Sequence, residues 1–117
     1  HVALWWWAND KRLALTAKDA IAAASLVFVS AASAWEIAIK SALGRVRLPQ
    51  QVAEGARGSG FVERQSAFDH TAAVEFLPPH HADPFDRMLL AQAKVERLVI
   101  VTHDRHFEPY GQADIWT

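Results

Sequence analysis

At 117 residues, 51% of them hydrophobic, the chain has the length of one domain, able to bury about 60–70% of its unfolded surface. No apolar stretch approaches the ~20 residues that span a bilayer, nothing reads as a basic-then-apolar leader, and zero cysteines exclude disulfides and thiolate zinc sites, so a cytoplasmic protein away from membranes is expected. The formal net charge of −1 excludes coating of nucleic acid by overall positive charge, while leaving local basic patches open.

In chain order, the first predicted element is a helix over 2–8. Its consecutive Trp5, Trp6 and Trp7 fan across about 200° of helix surface, so at least one is expected to be exposed or to meet a partner, aromatic residues being enriched at interfaces. Thr16 is placed to cap a second helix over 16–24, and the apolar run 26–29 reads as a strand. A helix over 33–43 follows, in which Trp35, Ala38, Ile39, Ala42 and Leu43 recur at helical spacing beside a stripe of Ser33, Glu36 and Lys40. Gly44 is placed to end it. Residues 50–60 form a weak helix ending in GARGSG, 61–64 a short strand, and Asp69 is placed to cap a helix over 71–76 before the turn Leu77-Pro78-Pro79. A helix over 84–97, a strand over 98–102 and a short strand near Ile115 complete the chain. Strands alternating with helices argue for an α/β sandwich around a parallel sheet, and no repeat or internal boundary divides residues 1–117.

The chemistry concentrates in HHADPFDRMLLAQA, residues 80–93. Pro84 suits the first helical position, where its missing N–H costs nothing, so Asp83 reads as the N-cap, a role sufficient by itself to explain Asp before Pro. Asp86 falls in the first turn, where the helix dipole favours an ionised carboxylate; a capping box reaching back to Asp83 competes with a functional role. The run LVIV, residues 98–101, is typical of a strand buried on both faces, and Asp104 lies just past its C-terminal end, the edge where open α/β sheets bind ligands. Asp104 also suits the start of the turn DRHFEPYG. Glu36 sits one turn into a helix that follows a strand, again at that edge, although an i,i+4 pair with Lys40 explains it equally.

Taken together, SAASAWEIAIK, GRVRLP, LPPHHADPFDRMLLAQA and VTHD, in this order and spacing, resemble the PIN-domain ribonucleases, specifically the VapC-type toxins of bacterial toxin–antitoxin pairs. The resemblance spans nearly the whole chain. It implies a PIN-like three-layer sandwich with a central, mainly parallel sheet flanked by helices, and a metal-dependent endoribonuclease that hydrolyses RNA phosphodiester bonds and is neutralised by a cognate antitoxin. The family's Mg²⁺- or Mn²⁺-holding acids match Glu36, Asp86 and Asp104, and Asp83 also matches a family position. The residues themselves agree, because Mg²⁺ takes hard oxygen ligands and keeps several waters, so a few carboxylates suffice. A homodimer is also implied. Lys40, Arg87 and Arg105, next to these acids in sequence, are candidates for contact with RNA phosphates, with solvated surface charges as the plainer reading.

Family members begin with a strand ending in Leu-Leu-Asp-Thr-His, whose aspartate is a metal ligand, and His1 matches the last residue of that signature. The expectation is therefore a domain truncated at its N-terminus, lacking the first strand and its Asp. The alternative function is a catalytically inactive binding module that keeps the dimer and antitoxin surfaces. A phosphoacceptor receiver domain also places acids at strand ends, but no acidic pair follows a first strand here and no Lys follows the last buried strand. His80, His81, His103 and His106 raise the question of zinc, yet they lack an HExxH arrangement and the neighbouring ligands are mostly oxygens.

Overall fold

The computed structural model describes residues 1–48, 50–112 and 114–117. Its elements are α1 (Val2–Trp7), α2 (Leu15–Ala23), β1 (Phe28–Ser30), α3 (Ala31–Ala42), α4 (Val52–Ser59), β2 (Val62–Arg64), α5 (Phe68–Glu75), α6 (Pro84–Glu96), β3 (Ile100–Thr102), a 3₁₀ turn over Arg105–Tyr110 and β4 (Asp114–Trp116). Both strand pairings are parallel: β1 with β2, where Val29 faces Glu63, and β3 with β4, where Val101 faces Ile115. The α/β class and the parallel pairing expected from the sequence both hold. Among the described residues, however, the strands form two separate pairs instead of one continuous sheet. A cleft of about 730 Å³ lies against both pairs, lined by Val29 and Ser30 from one and by Val101 and Thr102 from the other.

Element ends differ from the sequence expectation for identifiable reasons. Helix α3 starts two residues early because the Ser30 hydroxyl accepts the Ala32 N–H at 3.1 Å, an N-cap bond. Gly44, at φ +72°, stops it in the left-handed conformation that glycine adopts without cost. Thr16 is not a cap: α2 begins at Leu15 behind Ala14. Nor is Asp69, which lies within the first turn of α5, while the His70 ring reaches back to accept the Ala67 N–H at 2.9 Å. Strand β3 starts at Ile100 and not at Leu98, because the Leu98 N–H closes the end of α6 on the Ala93 carbonyl at 2.9 Å.

Two apolar clusters hold the elements together. One joins Leu77, Leu90, Ala91 and Phe107, so that α6 is clamped between α5 and the 3₁₀ turn. The other joins Trp5, Leu13 and Ala17, with Val101 and Ile115 packed against it. Of the three consecutive tryptophans, Trp5 is therefore core, while the Trp6 and Trp7 indole N–H groups both donate to the Ser59 hydroxyl on α4, at 3.3 and 3.2 Å. The fanned-out rings meet a neighbouring helix of the same chain. The stripe Trp35, Ile39 and Leu43 on α3 has the opposite fate: its residues are 64%, 40% and 62% exposed, and α3 buries Ala32 and Ile37 in their place.

Candidate active site

The cleft collects acids from three elements. Glu36 from α3, Asp83 and Asp86 from the start of α6, and Asp104 from the end of β3 all line it, because β1 leads directly into α3 and because β3 ends two residues before Asp104.

Asp83 caps α6: its Oδ1 accepts the Phe85 and Asp86 N–H groups at 2.9 and 3.0 Å. The capping reading is thus correct for Asp83. A capping box with Asp86 does not form, since the Asp83 N–H is taken by His81 Nδ1 at 3.2 Å. The Asp86 carboxylate instead faces His81, with Oδ2 at 3.0 Å from Nε2. The same His81 nitrogen lies 3.1 Å from Asp104 Oδ2. Asp104 Oδ1 accepts from the His106 backbone N–H at 2.9 Å and meets His106 Nδ1 at 2.7 Å. Asp104 therefore opens the 3₁₀ turn and faces the cleft at once, so that its two readings coexist.

The carboxyl groups titrate in opposite directions. Burial, then the neighbouring charges of Asp83, Glu36 and Asp104, push Asp86 up to about 6 against the pull of His81. For Asp104, partial burial pushes upward, but hydrogen bonds from the His106 backbone, the His106 ring and His81 outweigh it and hold the group below the ordinary carboxylate range. A carboxyl group whose ionisation is suppressed by burial and acidic neighbours, as at Asp86, is a donor suited to a hard divalent cation, whose charge relieves that repulsion. Glu36, Asp86 and Asp104, which line one cleft, are oxygen donors of the kind that Mg²⁺ and Mn²⁺ take.

The basic candidates separate. Lys40 lines the cleft and pairs with Glu36 at 3.3 Å, the i,i+4 contact anticipated from sequence. Arg87 does not point into the cleft. Its guanidinium donates to the carbonyls of Val74, Leu77, Pro78 and His81 at 3.0–3.3 Å and reaches the Tyr110 hydroxyl at 3.4 Å. That gathers the loop before α6, and the expectation of an RNA contact at Arg87 meets a side chain already engaged. Arg105 stacks 4.3 Å over the Trp116 ring and pairs with Glu108 at 2.7 Å. Sequence reading missed His81 as the group joining two acids; its signal was its place two residues before the cap, inside HHADPFD.

A PIN domain model matches residues 1–112, and the chain belongs to that family. It is also similar to the Ribonuclease VapC22 of Mycobacterium tuberculosis (strain ATCC 25618 / H37Rv), with 32% identity over 117 residues covering 94% of this chain and 87% of that protein. The VapC-type resemblance drawn from the motifs is thereby shown.

Proposed function

We propose that this chain is a Mg²⁺- or Mn²⁺-dependent endoribonuclease toxin held silent by a cognate antitoxin. The observation that carries the reading is the convergence of Asp86 and Asp104 on one histidine nitrogen beyond the C-terminal end of β3, in a PIN-family chain similar to a named ribonuclease. Glu36, Asp86 and Asp104 would hold the ion, and Asp83 would act mainly by fixing the start of α6. A bound divalent cation supplies positive charge for the phosphate and makes water more acidic. The protein's own contribution is placement. Lys40 lies where a phosphate oxygen would enter, with Glu36 keeping its ammonium near the cleft, and the cap at Asp83 orients Asp86. The apolar stripe of Trp35, Ile39 and Leu43 supports an additional partner surface, for a second copy or for the antitoxin, since exposed apolar patches mark interaction sites.

The test is RNA cleavage by the intact protein with and without Mg²⁺ or Mn²⁺, compared with Glu36→Gln, Asp86→Asn and Asp104→Asn. Each variant should stay folded and lose cleavage, and each should shrink the rise in melting temperature on adding Mn²⁺. A metal at 100 times its dissociation constant stabilises by about 2.7 kcal/mol, so the loss is measurable. Normal cleavage by all three variants would refute the assignment.

A further inference from the structure

His81 is held on every side. Its backbone N–H donates to the Tyr110 hydroxyl at 2.8 Å, its carbonyl accepts from Arg87 at 3.3 Å, and its ring meets Phe107 edge-on at 5.8 Å. Only 13% of the side chain is exposed. Arg87 and Tyr110 also both bind the Pro78 carbonyl, at 3.0 and 2.8 Å, so the loop that presents His81 is tied to α6 and to the 3₁₀ turn together.

The ring's hydrogen bonds decide its tautomer. The Asp83 N–H donates to Nδ1, so Nδ1 carries a lone pair and the proton of a neutral ring belongs on Nε2. That nitrogen is hydrogen-bonded to Asp104 Oδ2 at 3.1 Å and has Asp86 Oδ2 beside it at an ion-pair distance of 3.0 Å. Ligand atoms of His81, Asp104 and His106 lie within 4.8 Å of one another, which invites a histidine-rich metal site. The tautomer opposes it: a nitrogen that carries a proton has no lone pair for a metal, and a metal-ligating histidine ordinarily donates from its other nitrogen, whereas Nδ1 here accepts. We infer that His81 is a positioning residue, whose Nε2–H bonds Asp104 and keeps the Asp86 carboxylate alongside by electrostatic attraction, so that the two acids are held near one another for a divalent cation.

This inference rests on the metal-site reading of Asp86 and Asp104, and its consequences are separable from it. Without that N–H beside them the two carboxylates repel and drift apart, so the ion must regather them. Losses of supporting residues at metal sites cost about 10–100-fold in affinity.

Mn²⁺ binding to the intact protein, measured by the electron spin resonance signal of free Mn²⁺, should weaken by about that factor in His81→Phe, which keeps the ring and loses the donor. His81→Gln, whose side-chain amide still donates, should bind close to the unaltered protein. Equal Mn²⁺ affinity in His81→Phe and the unaltered protein overturns the inference, as does His81→Gln binding as poorly as His81→Phe. Asp104→Asn is the control: a loss there without one in His81→Phe rejects His81 alone, and no loss in either rejects the metal site as well. Should His81→Phe fail to fold, nitrogen-15 correlation spectra of the unaltered protein decide. The proton should sit on Nε2 and not on Nδ1, both before and after Mg²⁺ is added, and a proton on Nδ1 in either condition overturns the assignment.

Discussion

Asp86 and Asp83 are three residues apart and do different work. Asp86, pushed up to about 6 by burial and its acidic neighbours, binds a proton more readily in the folded chain than in the unfolded one, where its pKa is about 3.9. The folded state therefore gains relative stability as pH falls from about 6 towards about 4, and loses it as pH rises through that window. In melting curves of the metal-free protein, Asp86→Asn should remove this contribution and be at least as stable as the unaltered chain at pH 7. Mn²⁺ affinity should run the other way and weaken below about pH 6, where the proton competes; an affinity flat from pH 5 to pH 7 would count against Asp86 as a ligand. Asp83 contributes through its cap bonds. Asp83→Ala should cost about 0.5–2 kcal/mol, whereas Asp83→Ser keeps an accepting oxygen and should retain most of both stability and cleavage. Inactivity of Asp83→Ser at unchanged stability would make Asp83 a direct ligand.

At the scale of elements, the close approach of α1 to α4 and the loop before α6 carry the sharpest expectations. A Cβ on Gly55 would sit 2.8 Å from Trp7 Cε2, so Gly55→Ala must push the indole away and disturb its bond to Ser59. Overpacking of this kind costs typically about 1–3 kcal/mol, to be read as a lower denaturation midpoint. Arg87 satisfies four carbonyls at once, and unsatisfied groups cost about 1–3 kcal/mol each where they are buried. Arg87→Met should thus destabilise the domain, and its effect on cleavage should follow the loosening of the loop that carries His81. If Arg87→Met leaves the denaturation midpoint unchanged, the brace is not what holds this loop.

For the whole molecule, near-neutral charge sets how RNA can be held. With Lys40 paired to Glu36, Arg87 turned to carbonyls and Arg105 paired to Glu108, the three basic candidates beside the acids are all engaged and offer little charge at the site to displace counterions. Single-stranded nucleic acid loses about 0.7 in log–log salt slope per phosphate neutralised, so the slope for RNA bound to inactive Asp104→Asn should stay shallow, near one or two contacts, in anisotropy titrations. A slope of many contacts would point to a basic surface elsewhere. The exposed stripe on α3 bears on association instead. Ile39→Asp places a charge in its middle and should lower the apparent mass in light scattering wherever the unaltered chain self-associates; an unchanged dimer would locate the interface on another face.

Local rules made much of this protein readable from its residues. Proline after Asp83 and glycine after Leu43 mark helix ends because both act through their own backbone, and the alternation of apolar runs with helical stripes set the α/β class. The motifs around Glu36, Asp86 and Asp104 pointed to the family that the comparison shows. What the residues could not decide is where side chains go once elements meet. Trp35, Ile39 and Leu43 have the spacing of a buried face and lie exposed, since burial depends on which neighbours α3 finds. Arg87 stands beside Asp86 in sequence, yet one residue is about 100° of turn on a helix, and its charge is drawn to carbonyls assembled from 74–81. The contacts of one histidine nitrogen reach acids five and twenty-three positions away. The second exists only once the loop before α6 and the turn after β3 have come together, which no local periodicity encodes.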